Sequence, residues 1–201
     1  HGGMSVVYLA MDTHLNKQWA VKEIRKKGNG RNDEVIVNSL LAEANMMKRL
    51  DHPSLPRIVD IIDNGVTIFV VMDYIEGESL DKILAEYGAQ PEELVVGWAK
   101  QLCDALSYLH SQKPPIIYRD MKPANVMLKP EGNIKIIDFG ESIIIGEKTN
   151  KNAGLSFFCP PERINEISFN KFKYPINKQG EVYQISLVIY FILNKCIPFN
   201  A

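Results

Sequence analysis

Two short stretches bring together side chains that could neutralise phosphate charge and aim a hydroxyl. The run Tyr118-Arg119-Asp120-Met121-Lys122-Pro123-Ala124-Asn125 places a carboxylate, an ammonium and a carboxamide in one segment, and Asp138-Phe139-Gly140 adds a second carboxylate further on. Carboxylate and carboxamide oxygens suit a hard divalent cation, an ammonium suits phosphate, and a spare carboxylate suits the orienting of a hydroxyl. Phosphoryl transfer asks for this set, because its chemistry depends on charge neutralisation and positioning more than on covalent help. The plain alternative is that Asp120 and Asn125 cap a turn while Asp138-Phe139-Gly140 ends a strand. Either run alone leaves the two readings balanced; both at this spacing favour the chemical one.

The elements that must hold these groups follow from the hydrophobic pattern. From Val6 to Ile24, two β-rich runs joined by a polar turn around Thr13 to Lys17 predict an antiparallel hairpin. Lys26 to Asp33 reads as a surface connection, after which Leu40, Leu41, Ala44, Met47 and Leu50 recur at helical spacing until Pro53 stops them. Arg57 to Ile62 and Val66 to Met72, separated by Asp63-Asn64-Gly65, predict a second hairpin. Beyond Glu76-Gly77-Glu78 the character changes: Ser79 is expected to cap a short helix to Tyr87, and Pro91 to open a long one through Leu94, Trp98, Leu102, Leu106 and Leu109. Short strands are expected near Val126 to Leu128 and Ile134 to Ile137. A sheet-rich lobe and a helical lobe result, with ligands commonly seated between such lobes.

The two runs resemble the catalytic loop H-R-D-x-x-x-x-N and the D-F-G motif of protein kinases, with Tyr118 in place of His. The likeness covers the whole chain. LDHPSLPRIVDII, YIEGESLDKIL and LCDALSYLH all look like bacterial Ser/Thr kinases of the Firmicute type, and PPIIYRDMKPANVMLKPEGNIKIIDFG is the closest run. The resemblance implies an α+β, bilobal protein-kinase-like fold. Its N-lobe, residues 1–75 including the hinge, would be a small antiparallel β-sheet with one helix, and its C-lobe, residues 76–201, mainly helical and incomplete. It also implies transfer of the γ-phosphoryl group of ATP, with Mg²⁺ or alternatively Mn²⁺, onto Ser/Thr hydroxyls of protein substrates.

By this likeness Asp120 is the catalytic base, Lys122 steadies the γ-phosphate, and Asn125 and Asp138 hold the metal. Lys22, on the second strand, would meet the α/β-phosphates and pair with Glu43 of the following helix; without that context Lys22 reads as a solvated face residue and Glu43 as part of an exposed helical face. His1-Gly2-Gly3-Met4-Ser5-Val6-Val7 resembles the tail of a glycine-rich phosphate loop, in which Gly2 and Gly3 admit close backbone approach, although Gly-Gly also marks ordinary turns. Phe69 to Gly77 resembles the hinge, with Met72 as gatekeeper and the backbone of Asp73 and Ile75 facing the adenine edge. Val7, Ala20 and Met127 would cover the adenine faces, and the same residues serve equally well as core. Trp19 and Trp98 read as packing residues.

The pattern departs in two places. Leu155 stands where kinases carry a Thr that ties the substrate loop to the catalytic pair, and Glu181-Val182-Tyr183-Gln184-Ile185-Ser186 stands for D-x-Y/W-S-x-G, so that Glu181 replaces a shorter, buried Asp that anchors the catalytic-loop backbone. The extra methylene is expected to strain the site. These departures, with a chain that reads as truncated at both ends, motivate the alternative of a nucleotide-binding pseudokinase scaffold. A small-molecule phosphotransferase of the aminoglycoside-kinase type is a third reading, against which Lys122-Pro123 and Pro161-Glu162 argue. Arg119 either grips a phosphorylated activation loop, with Thr149 and then Ser142 and Ser156 as acceptors, or pairs with a nearby carboxylate. Autophosphorylation of that kind would be compatible with a dimer.

Composition excludes several other classes. The 201 residues are 46% hydrophobic, enough for a packed core, and 23 basic against 24 acidic residues leave a formal charge of −1. No nucleic acid or anionic membrane partner is therefore expected. Ile185 to Leu193 is too short to cross a bilayer and reads as a buried helix, so no membrane contact is expected from this segment. The three cysteines, Cys103, Cys159 and Cys196, are widely spaced and read as reduced buried thiols of a cytoplasmic protein.

Overall fold

A computed structural model describes residues 5–26, 41, 44–139, 142–144 and 178–195. By contacts the chain divides into two units, His1–Glu76 and Gly77–Ala201.

In the first unit the β-rich apolar runs become four antiparallel strands: β1 (Ser5–Asp12), β2 (Lys17–Arg25), β3 (Ile58–Asp63) and β4 (Thr67–Asp73), in the order β1-β2-β4-β3. Side chains close both hairpins. Asp12 Oδ1 accepts the His14 and Leu15 amides at 2.9 and 3.0 Å. At the second turn Asn64 Oδ1 accepts from Val66 and Thr67, and Asp63 Oδ1 from Gly65, whose φ of +88° suits glycine. Between the hairpins, Ala44 to Met47 are helical, and Ala44, Met47 and Leu50 are buried at the predicted spacing.

The second unit opens with β5 (Glu78–Ser79), α1 (Leu80–Tyr87) and α2 (Glu92–Ser111). Gly77, just before it, has φ +130°, and a Cβ there would lie 2.0 Å from the Leu128 carbonyl oxygen. Only glycine permits this approach. Ser79 sits at the N-cap of α1 but makes no side-chain capping bond; it pairs with Met127 as the end of β5. The α2 face formed by Val95, Trp98, Leu102, Ala105, Leu106 and Leu109 is fully buried, as the heptad-like spacing requires. Trp98 is thus a packing residue, whereas Trp19 is half-exposed with the Lys17 ammonium 3.9 Å above its ring.

Next come β6 (Ile116–Ile117), a 3₁₀ turn at Pro123–Asn125, β7 (Val126–Leu128), β8 (Ile134–Ile136), β9 (Ile143–Ile144) and α3 (Lys178–Asn194). They form two small antiparallel sheets, β5-β7-β8 and β6-β9. Gln101 fixes β8 to α2 by accepting the Ile134 amide at 3.0 Å. Helix α3 packs on α2 and buries Ile185, Leu187, Val188 and Ile192 while Val182 and Tyr190 stay exposed. It also buries two polar residues, Glu181 and Gln184, each 2% exposed. Cys103 is exposed on α2, which corrects the expectation of a buried thiol; Cys159 and Cys196 lie outside the described residues.

Candidate active site

The segment between β6 and β7 carries the groups singled out above. Pro123 at the start of the 3₁₀ turn folds the chain back, and the Asn125 amide bonds to the Lys122 carbonyl at 2.9 Å. Three chemistry-bearing side chains meet as a result. Asp120 Oδ2 accepts from Lys122 Nζ at 2.7 Å and from Asn125 Nδ2 at 2.8 Å, and Asn125 Nδ2 also reaches the Asp120 carbonyl at 2.9 Å. The side chains of Asp120 and Lys122 are 16% and 34% exposed, so the ion pair is partly shielded while remaining accessible. Asn125 is buried.

Asp138 is brought beside this cluster by the chain itself: the Ile137 amide donates to the Asn125 carbonyl at 2.9 Å. Asp138 lies at φ +59°, an uncommon conformation for a residue with a side chain, and is exposed, whereas Phe139 beside it is buried. Tyr118 supports this arrangement from below. Its ring meets Phe139 edge-on, with centroids 5.1 Å apart, and its hydroxyl donates to the Ile137 carbonyl at 2.5 Å. Burial, reinforced by the carboxylates of Asp120 and Asp138, pushes the Tyr118 phenol well above its ordinary pKa. It therefore stays a protonated donor throughout the neutral range.

Arg119 has φ +74°, and its backbone is gripped on both sides. Glu181 Oε1 accepts its amide at 2.7 Å, and Gln184 Nε2 donates to its carbonyl at 3.0 Å. The other Glu181 oxygen meets His110 Nε2 at 2.5 Å, at the last turn of α2. The expected strain from the longer side chain is overturned here: one carboxylate reaches both His110 of α2 and the Arg119 amide. Ser142 is corrected as well. Its hydroxyl is buried and donates to the Tyr118 carbonyl at 3.2 Å, so it braces the loop and is not displayed as a phosphate acceptor. Leu155, Ser156, Thr149 and Pro161-Glu162 lie outside the described residues. His110 and Gln184 were not singled out from sequence, although a carboxamide inside the apolar run of α3 was a usable signal.

The remaining candidates, Met127 excepted, belong to the first unit. Strand register pairs Lys22 with Val7 on one side and Val70 on the other, and Ala20 with Leu9 and Met72. Directly paired residues share a sheet face and alternate residues return to it, so Val7, Ala20, Lys22 and Met72 line one face. Val7 is 62% exposed and Lys22 half-buried. Asp73 at the end of β4 is held by Arg57, whose amide donates to Asp73 Oδ2 at 3.1 Å, and the Asp73 amide donates in turn to the Arg57 carbonyl at 3.0 Å. Ile75 follows in irregular chain. Met127 is in β7 of the second unit. Gly2, Gly3 and Glu43 lie outside the described residues.

A family model described as a protein kinase domain matches residues 1–201. A probable serine/threonine-protein kinase of Clostridium acetobutylicum is 31% identical over all of this chain, which spans 29% of that relative's length. Sperm motility kinase 2B of Mus musculus is likewise 31% identical, with 39% of its length covered. Serine/threonine-protein kinase PrkC of Bacillus subtilis is 28% identical, with 30% covered. The chain therefore spans about a third of the curated relatives it matches.

Proposed function

We propose, since this chain belongs to the protein kinase domain family, that the protein carrying it transfers the γ-phosphoryl group of ATP to Ser/Thr hydroxyls of other proteins. The observation that carries the reading is the shared Asp120 oxygen, held at once by Lys122 and Asn125. A carboxylate fixed by two donors on one oxygen keeps its other oxygen for an incoming hydroxyl. Lys122, already an ion-pair partner of that carboxylate, puts a positive charge where the transferred group must pass, and so offsets charge as the phosphoryl group moves.

The family's chemistry uses ATP and a divalent metal, and the residues suit Mg²⁺, with Mn²⁺ as the alternative. Among the described residues no group of three or more His, Cys, Asp or Glu side chains is assembled for a metal. Mg²⁺ takes one or two protein carboxylates and fills its shell with water and substrate phosphate. Asp138 would supply the carboxylate, and Asn125, whose Nδ2 is spent on Asp120, its carboxamide oxygen. The metal neutralises phosphate charge when bound. Lys22 would add a cation toward the α/β-phosphates from the sheet face it shares with Val7 and Ala20, assigned to the adenine faces, and with Met72, assigned as gatekeeper.

Two details weigh on the pseudokinase alternative. Glu181 reaches its partners without loss, and the relatives bear the names of serine/threonine kinases. Among the described residues no helix is long and apolar enough to cross a membrane; a cytoplasmic location belongs to the same proposal, because ATP is supplied there. The test is incubation of the intact protein with γ-labelled ATP, Mg²⁺ and a general protein substrate, followed by phosphoamino-acid analysis. Labelled phosphoserine or phosphothreonine is expected. Nucleotide binding without any transfer would reject the reading.

A further inference from the structure

We infer that Gln184 is a positioning residue for Asp120, holding the peptide unit that carries the catalytic carboxylate from within α3; this rests on the kinase reading above. Arg119, the residue before Asp120, has φ +74°, a conformation that residues with side chains adopt only when their surroundings impose it. Two successive peptide units flank that angle, and each is held by distant side chains. In the Tyr118–Arg119 unit the carbonyl takes the Ser142 hydroxyl and the amide goes to Glu181. In the Arg119–Asp120 unit the carbonyl takes Gln184 Nε2 at 3.0 Å, and the next carbonyl, that of Asp120, takes Asn125. Gln184 is thus the group that sets the plane of the peptide entering Asp120.

Its placement argues that this is its purpose. Gln184 is 2% exposed in a helix that, apart from Glu181, otherwise buries the apolar residues Ile185, Leu187, Val188 and Ile192. A carboxamide there costs desolvation that an aliphatic side chain would not, unless its hydrogen bond is used. Glu181 stands three residues earlier on the same helix face, and where the kinase pattern has Asp and Ser, both positions here carry longer side chains. The two lengthened groups grip the amide and the carbonyl of a single residue, which reads as one matched device.

The experiment compares intact wild-type protein with Gln184→Met, which keeps the volume and removes the donor. A fall of about tenfold in kcat, with KM for ATP changed less than twofold, is expected. In an Asp120→Asn background the same substitution should change the residual rate less than twofold, because the carboxylate it aims is gone. An unchanged kcat, or the same tenfold loss in both backgrounds, would overturn the proposal, the latter by exposing a merely structural role. Should Gln184→Met not fold, Gln184→Asn, which keeps a shorter donor, must show the same split with a smaller loss. Amide hydrogen exchange adds a readout independent of turnover: residues 118–121 should exchange faster in the variant while α2 and α3 keep their protection. If the wild type transfers no phosphate, the kinase reading fails, and the exchange result alone decides whether the clamp exists.

Discussion

Polar side chains do opposite jobs in the two units. In the first unit the paired charged side chains lie toward the surface: Lys26 with Asp63 at 2.7 Å, Arg25 with Glu23 at 2.9 Å and Tyr8 with the same Glu23 at 2.7 Å. In the second unit Glu181, Gln184, Asn125 and Ser142 are buried, and each bonds to the backbone of the segment around Asp120. Exposed pairs compete with water and contribute little, whereas a buried group left without its partner is costly. The first set keeps a sheet soluble and in register. The second fixes a backbone conformation the chain would not choose by itself.

Substitutions in each region should widen or close that gap. The largest effect is expected at Gly77, where close approach and positive φ coincide: Gly77→Ala drives a Cβ against the Leu128 carbonyl and should destabilise the intact protein by about 2–3 kcal/mol in denaturant unfolding. A loss below about 0.5 kcal/mol would mean that β5 and β7 can separate there freely. Glu181→Asp comes next. Although it restores the usual kinase residue, the shortened carboxylate can no longer span from His110 to the Arg119 amide, and the phosphorylation rate should fall about tenfold, equivalent to about 1.4 kcal/mol. A rate increase would revive the idea that Glu181 impairs the site. The smallest effect belongs to Lys26→Met, which should lower thermal stability at neutral pH only slightly despite removing a 2.7 Å ion pair. What the pair does contribute has a defined pH dependence. The bond from Lys26, and then that from the Gly65 amide, hold the Asp63 carboxyl below its ordinary value. Its contribution is therefore present above about pH 4 and fades as pH falls through the lowered pKa. Lys26→Met should remove part of that acid sensitivity.

The sheet was legible in the sequence because its determinants are local. Short apolar runs and Asp63-Asn64-Gly65 specify β3, β4 and their turn within a few neighbours, and the loop from Tyr118 to Asn125 announces itself by residue type. The conformation of Arg119 was not legible, since its holders are distant in sequence: Ser142 lies 24 residues from Tyr118, and Glu181 and Gln184 lie 62 and 65 residues from Arg119. Sequence spacing says nothing about such meetings. For the same reason Ser142 passed for a displayed hydroxyl and Glu181 for a misfit: each was judged by its type, before the partner that uses it was known. Cys103 was misplaced because the buried stripe of α2 runs through Leu102 and Leu106 and turns position 103 outward.

The most direct measurement is single-turnover transfer of label from γ-labelled ATP by intact wild-type protein and by its Asp120→Asn variant, with nucleotide affinity determined in parallel. Replacing the carboxylate keeps the shape and removes the charge that Lys122 and Asn125 hold in place. Transfer should fall by about 10²-fold or more while the Kd for ATP changes less than twofold. A variant that phosphorylates at the wild-type rate, or that loses activity only through weaker ATP binding, would contradict the role given to Asp120 and with it the reading of this site.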